Sequence, residues 1–348
     1  MAHSHRIRDI AEQSGLSAAT VDRVLHSRPS ASARATRQVE QAILDLDRQQ
    51  TQLRLAAATL MVDVVLQAPR RFTDAVRSAV EAELVQVRPV TARARFHIRE
   101  VGGADDLAEL LDTISRRGRS SQAVLLKAPD HPDVAEAITR LTRRRIPVVT
   151  LVTDVRHSPR VAYVGLDNAS AGATAAYLVA TTLRGRVDRV GQPVLVTSTQ
   201  ASFFGERERW MSFSAELARL EPDRRVVLVP DADGLDERVR SAVTPVIADE
   251  PAVAAVYSIG GGNQALTDLL VETGRVPQVY VAHDLDADNR RLLAQGRVSL
   301  VLHHDLRRDV RSALVQALRH HGLMRGAPRT VFSPVEVITP HNLPTSSR

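Results

Sequence analysis

Apolar residues near the start of the chain recur at helical spacing. Ile7, Ile10 and Ala11 mark one short helix, and Val21, Val24 and Leu25 mark a second. Ser14-Gly15-Leu16-Ser17 lies between them. Gly15 suits the left-handed backbone of a tight helix-to-helix turn. Ser17 offers its hydroxyl to the first free amides of the next helix, and Leu16 plugs the angle between the two. This is the pattern of a helix-turn-helix, whose second helix enters the major groove of DNA. The alternative is a plain helical hairpin at a domain edge.

From about residue 61 the pattern changes to alternating strands and helices. Met61–Gln67 is an apolar run of strand length, Thr73–Val87 has helical spacing, and Ala92–Val101 alternates. Asp105–Arg117 and Val134–Arg144 read as helices, and Ala123–Lys127 and Ile146–Val152 as strands. A second series follows. Its helices are Ser170–Leu183, Glu206–Leu220, Leu235–Ile247 and Asn263–Thr273. Its strands are Pro193–Thr197, Arg225–Val229, Val253–Ser258 and Gln278–His283. Repeated β-α units imply parallel sheets covered by helices. Two successive series imply two such subdomains with a cleft between them. The segment from Val298 onward is expected to cross back and finish both sheets.

Composition narrows the class. A chain of 348 residues suggests two or three domains. Apolar residues are 44% and aromatics only 3%, so the cores are aliphatic. No apolar run approaches the roughly 18 residues of a membrane span. The opening MAHSHRIRDI lacks the apolar segment of a signal peptide, which points to the cytoplasm. The absence of cysteine excludes disulfides, thiolate metal sites and cysteine nucleophiles. A net charge of +6 is compatible with nucleic acid but does not carry the reading. Nearly every cation is arginine, a bias attributed to a GC-rich coding sequence; Lys127 is the only lysine.

Arg6–Leu25 reads RIRDIAEQSGLSAATVDRVL and resembles the DNA-binding headpiece of the LacI/GalR repressor family. Ile7, Asp9, Ile10, Ala11, Gly15, Leu16, Ser17, Thr20, Val21, Arg23, Val24 and Leu25 match that family's opening pattern. Asp22 stands where a serine is usual; a carboxylate near phosphate costs affinity unless it reads a cytosine amine or pairs with a neighbouring arginine. Ser32, Thr36, Arg37, Val39, Ala42, Ile43 and Leu46 match the family's third helix. The resemblance implies a fold in two parts. An all-α helix-turn-helix headpiece (1–47) is followed by a hinge (48–60) and an α/β periplasmic-binding-protein-like domain (61–348) of two doubly wound parallel-sheet subdomains. The first subdomain spans about 61–168 plus part of 300–330, and the second about 169–298 plus the C-terminal segment. Ala18, Ala19 and Arg23 take base-facing positions, with Arg23 the main hydrogen-bonding reader. Ser17, Thr20, Thr36 and Arg37 take DNA contacts at helix starts, and Arg54 is a contact in the hinge. The hinge is expected to become helical on DNA, although Gln50-Thr51 replaces the family's proline-asparagine and Ala57 falls where a wedging leucine is expected.

Ligands of open parallel sheets bind at the carboxyl ends of strands. Phe72 and Asp74 follow the first strand, with Phe72 placed to stack on a sugar face or to pack in the core. Asp154 follows the fourth strand. Arg209 takes the arginine position of a family R-x-x-G-F segment, although a surface salt bridge to Glu206 is its plain alternative. Asn263 closes the Gly260-Gly261-Gly262 run, which has the form of a phosphate cradle but lacks the lysine of a nucleotide loop. Asp284 ends a strand where the family has a ligand-binding aspartate, and His304 lies at the second crossover. His303 and His304 are adjacent on a strand and point to opposite faces, so no metal is expected. No catalytic triad, metal box or cofactor motif appears, and neither an enzyme nor a cofactor is expected. These readings add up to a regulator, expected to be a repressor, that binds palindromic operator DNA as a homodimer or tetramer. A sugar or polyol effector controls it from the cleft. The alternative is a solute- or sugar-binding protein, or a sugar-metabolising enzyme, without a DNA role.

Overall fold

The computed structural model describes residues 5–26, 28, 31–57, 59–88, 90–114, 121–198, 203–230 and 234–344; the side chains of 50–57 lie outside that description. Contacts divide the chain into two compact units, one built chiefly from the first 59 residues and one from the remainder.

The first unit has three helices: α1 (Ile7–Ser14), α2 (Ala18–Leu25) and α3 (Ala33–Ala57). Gly15 ends α1 at φ 68°, the left-handed conformation that its lack of a Cβ permits. Ser17 caps α2, its hydroxyl accepting from the Thr20 amide at 3.2 Å. Ile10, Val21, Val39 and Ala42 form the buried core, one or more from each helix, with Leu16 packed against it. The third helix runs on to Ala57 instead of ending near residue 47. No proline or glycine interrupts residues 33–57, so nothing in the sequence stops it. The side chains of Arg54 and Ala57 lie outside the described residues.

The second unit holds two six-stranded sheets. In chain order its strands are β1 (Thr59–Gln67), β2 (Thr91–Arg99), β3 (Ala123–Lys127), β4 (Val148–Leu151), β5 (Ala162–Leu166), β6 (Val194–Thr197), β7 (Val226–Val229), β8 (Ala255–Ser258), β9 (Val279–His283), β10 (Leu300–His303), β11 (Val331–Ser333) and β12 (Glu336–Ile338). The sheets run β11-β5-β4-β3-β1-β2 and β12-β10-β9-β8-β6-β7. Strands β1, β3, β4, β5 and β11 pair in parallel, and so do β7, β6, β8, β9 and β10. The last strand, β12, joins antiparallel to β10. Each sheet therefore reverses its winding at one point, between β1 and β3 in the first lobe and between β6 and β8 in the second. Those switch points open a crevice at the strand ends.

The helices are α4 (Arg70–Leu84), α5 (Ala104–Ile114), α6 (Pro132–Arg143), α7 (Asn168–Leu183), α8 (Phe204–Leu220), α9 (Asp236–Asp249), α10 (Asn263–Glu272), α11 (Ala287–Ala294) and α12 (Leu306–His320). The chain changes lobe after β5 and after β10, and the short β11 and β12 return one strand to each sheet. Val, Leu and Ala at zero or near-zero exposure fill the space between sheets and helices. Two ion clusters tie elements together. Asp63 on β1, 1% exposed, is held by Arg95 and His97 of β2. Glu83 on α4, also 1% exposed, accepts from Arg307 and Arg311 of α12.

Helix α7 is rich in alanine and lies close against α8. A Cβ built on Gly172 would stand 2.1 Å from the Arg209 carbonyl oxygen, a backbone atom that cannot swing aside. Gly172→Ala is therefore expected to destabilise the domain by about 1–3 kcal/mol through overpacking. Urea denaturation checks this, and an unchanged midpoint would mean that the helix pair is looser than described.

Candidate functional site

The headpiece and the cleft are two separate candidate sites. In the headpiece, Ser17, Ala18 and Ala19 are exposed at the start of α2, and Thr20 is half-buried beside them. Arg23 lies one turn further on, its guanidinium donating to the Ala19 carbonyl at 3.1 Å and the Thr20 hydroxyl at 3.2 Å. Asp22 lies 3.0 Å from His26 Nδ1 and 3.6 Å from Arg28, so its carboxylate has partners of its own. Thr36 closes the first turn of α3 and Arg37 follows it, with Arg37 exposed and Thr36 donating to the Ser32 carbonyl at 3.2 Å.

The cleft lies between the two lobes of the second unit. From the first lobe, Gln67, Arg71, Phe72, Lys127, Val152 and Thr153 line it. From the second come Phe203, Glu206, Arg209, Ile259, Gly260, Gly261, His283, Asp284, Asp286 and Asn289. These groups stand where strands β1, β3, β4, β8 and β9 end. Two non-glycine residues of the lining carry left-handed backbone: Val152 at φ 68° after β4 and Asp284 at φ 64° after β9. Such angles are costly for residues other than glycine and cluster at ligand sites. At Val152 the strain is a tight three-residue turn, with the Thr153 amide donating to the Leu151 carbonyl at 2.8 Å.

Arg209, 4% exposed, is the central cation. Its Nε donates to Asn168 Oδ1 at 2.8 Å and its Nη1 to the Ile259 carbonyl at 3.2 Å. Across the cleft, Arg71 reaches Asp286 at 3.1 Å and the Gly260 carbonyl at 3.4 Å. A Cβ on Gly261 would stand 1.7 Å from that guanidinium, so the glycine run makes room for Arg71. Gly205 donates its amide to Thr153 Oγ1 at 3.0 Å, a second bridge between lobes.

Burial would raise the Asp284 carboxyl, but His304 and Arg209 outweigh it and hold it well below the usual carboxylate range. Burial would likewise lower the His304 imidazole, but Asp284 and Asp309 outweigh it and raise it to about 9. Burial, with Arg209 adding to it, keeps the His283 imidazole well below its ordinary value and hence neutral. The Tyr257 hydroxyl meets His283 Nε2 at 2.8 Å, while His283 Nδ1 and Gln67 Oε1 have no hydrogen-bond partner among the described residues.

Of the residues expected at the effector site, Phe72, Arg209 and Asp284 line the cleft together. Four do not. Asp74 faces outward on α4, 59% exposed, with Arg70 at 3.5 Å. Asp154 is consumed inside its own loop, accepting from Thr150 Oγ1 at 2.7 Å, the Val155 amide at 2.9 Å and two nitrogens of Arg160. Asn263 is buried one step behind the wall, bonded to Asn289 at 2.7 Å and the Tyr280 hydroxyl at 2.8 Å. His304 is fully buried, bonded to Asp309 and 3.5 Å from Asp284, so it supports that carboxylate from behind. Lys127, Gln67, Glu206, His283, Asp286 and Asn289 were not expected. Lys127 and His283 are the last residues of β3 and β9, so the strand-end rule already pointed to them.

Comparisons agree with this architecture. Residues 6–47 match the bacterial regulatory proteins of the lacI family, and residues 103–320, more than half of the chain, match the periplasmic binding protein domain. A comparison with curated proteins gave no significant match. Among solved structures, a glucose-galactose binding protein from Geobacillus stearothermophilus is similar at TM-score 0.71 and 17% identity, over 83% of this chain and 100% of that one. A solute binding protein from Burkholderia graminis, solved with D-arabinose, is similar at TM-score 0.70 and 20% identity, over 83% and 97%. A protein assigned as a LacI transcriptional regulator from Bacteroides fragilis is similar at TM-score 0.67 and 13% identity, over 82% and 99%. At these identities the likeness shows the fold.

The His304 arrangement sets a pH dependence. Its folded value lies above the ordinary 6.5, so its contribution is complete below about pH 6.5 and is lost as pH rises through about 9. The stability difference between wild type and His304→Gln, from urea titrations at pH 6 to 10, should shrink over that window by an amount of the order of 3 kcal/mol. A difference independent of pH would contradict the charge assigned to His304.

Proposed function

Since the chain belongs to the family of periplasmic binding protein domains and opens with a lacI-family headpiece, we propose that it is a sugar-responsive transcription regulator. The headpiece binds a palindromic operator through two copies in a homodimer, and the cleft binds a small polyhydroxy effector. The dimer doubles the contacts of one short helix-turn-helix. Effector and operator then act on each other's affinity by the same factor. In this reading the protein works in the cytoplasm as a repressor. The lacI-type headpiece favours this role over that of a solute carrier, whose fold the second unit shares.

One observation carries the effector half. The cleft offers an aromatic face at Phe72, acceptors at Asp284, Glu206 and the orphaned Gln67 Oε1, and donors at Arg209 and Lys127. Buried polar atoms without partners are costly, and hydroxyl groups that both donate and accept satisfy such a mixture. No helix of the described residues is long and apolar enough to cross a membrane.

The DNA half is tested with duplexes selected from a random pool by the full chain, followed by binding titrations. Arg23→Ala is expected to cost about 1–3 kcal/mol and to relax the choice at one base pair per half-site. Arg37→Ala is expected to weaken selected and random duplexes alike and to flatten the salt dependence by about one counterion per subunit. An unaltered base preference in the first variant, or a changed preference in the second, would refute these roles.

A further inference from the structure

The chain has one lysine among 46 lysines and arginines, and it is in the cleft. Lys127 ends β3, at the switch point of the first lobe. Its Nζ donates to the Gln67 carbonyl at 3.2 Å. It lies 4.1 Å from the Phe203 ring centre and 5.5 Å from that of Phe72, one ring from each lobe. An ammonium group has three donors, and one backbone carbonyl uses one of them. Aromatic faces attract the charge but accept no strong hydrogen bond.

The charges lining the cleft divide unevenly among their partners. Asp286 has Arg71 at 3.1 Å. Asp284 has His304 at 3.5 Å. Glu206 accepts from Ser198 Oγ at 3.2 Å, and Glu100 from the Arg70 amide at 2.7 Å. Lys127 and Arg209 meet only neutral acceptors: a carbonyl for the first, an amide oxygen and a carbonyl for the second. Among the described residues, neither has a carboxylate at ion-pair distance. A desolvated cation without a counter-charge is unfavourable, and a ligand that brings one removes the deficit.

We propose that the effector is a sugar acid, an aldonate or uronate, whose carboxylate pairs with Lys127 while its hydroxyls meet Asp284, Glu206 and Arg209. This inference rests on the sugar-responsive reading above and narrows its ligand class. Burial lowers the Lys127 ammonium to about 8, with Glu206 and Asp284 acting at longer range to keep it charged, so it is chiefly protonated at pH 7. The same two carboxylates disfavour a doubly charged phosphate ester. A single carboxylate beside Lys127 suits the field better.

The test uses the full chain and calorimetric titration at pH 7 with three matched sets: aldonates and uronates, their neutral aldoses and alditols, and the corresponding sugar phosphates. An acid is expected to bind at least tenfold more tightly than its neutral counterpart. Lys127→Met is expected to remove that preference, and Lys127→Arg, which keeps the charge, to retain most of it. A neutral sugar that binds as tightly as its acid overturns the inference and leaves the sugar-responsive reading standing. So does an acid whose affinity is the same in Lys127→Met, or binding confined to the phosphates. Binding by none of the three sets overturns both.

Discussion

The second unit depends on one buried guanidinium. Arg209 projects from α8 into the cleft at 4% exposure and holds Asn168, the first residue of α7. It also holds the carbonyl of Ile259, the residue after β8. One side chain thus connects the first crossover between lobes to the end of a strand in the second sheet. A buried charge is tolerated only when hydrogen-bonded and electrostatically compensated. Besides burial, its charge acts on Asp284, His283 and Lys127, in each case toward a lower pKa. Gly172 exists as glycine because the backbone at Arg209 passes within 2.1 Å of where its Cβ would be.

Around that centre the cleft is built from constrained parts. Tyr163 donates to the Leu166 carbonyl at 2.7 Å and the Val152 carbonyl at 3.1 Å, and receives Asn168 Nδ2 at 3.2 Å. Gly165 lies so close to Val152 that a Cβ there would meet the Val152 backbone at 2.8 Å. The strained turn at Val152, the tyrosine hydroxyl and the asparagine that positions Arg209 are therefore one assembly. In the second lobe Asn289 does the comparable task, donating to the carbonyls of His283 and Asp284 at 2.8 and 2.7 Å. Rigid support of this kind is what a binding constellation needs to hold its geometry.

The sequence pattern made most of the fold legible. Period-two and period-3.6 runs located the first two headpiece helices and the β-α series because these elements bury one face or two, while the third headpiece helix came from the family resemblance. The later part was harder. Helix α11 was not anticipated, α12 was legible only as a late helix at His320, and the exchange of β11 and β12 between sheets depends on pairings far apart in the chain. In the site, Arg209, Asp284 and Phe72 were legible as strand-end or helix-start residues with the right chemistry. Asp154 and Asn263 stand at equivalent places, yet Arg160 and Asn289 already use them. Period and strand-end position do not record whether a partner, in the same loop for Asp154 or 26 residues on for Asn263, has already taken the side chain. Lys127 was visible as the only lysine, but its composition was attributed to coding bias, and only three-dimensional placement shows the two rings beside it.

The central claim is that Arg209 ties the first crossover to the second sheet at the cleft. Hydrogen exchange by mass spectrometry on wild type, Arg209→Lys and Arg209→Met measures this directly. The account predicts that, in the methionine variant, amides of 167–171 and of 259–261 lose protection together. The lysine variant falls between, and the buried strands β3 and β4 keep theirs. Protection unchanged in both stretches, or lost in only one, would contradict it.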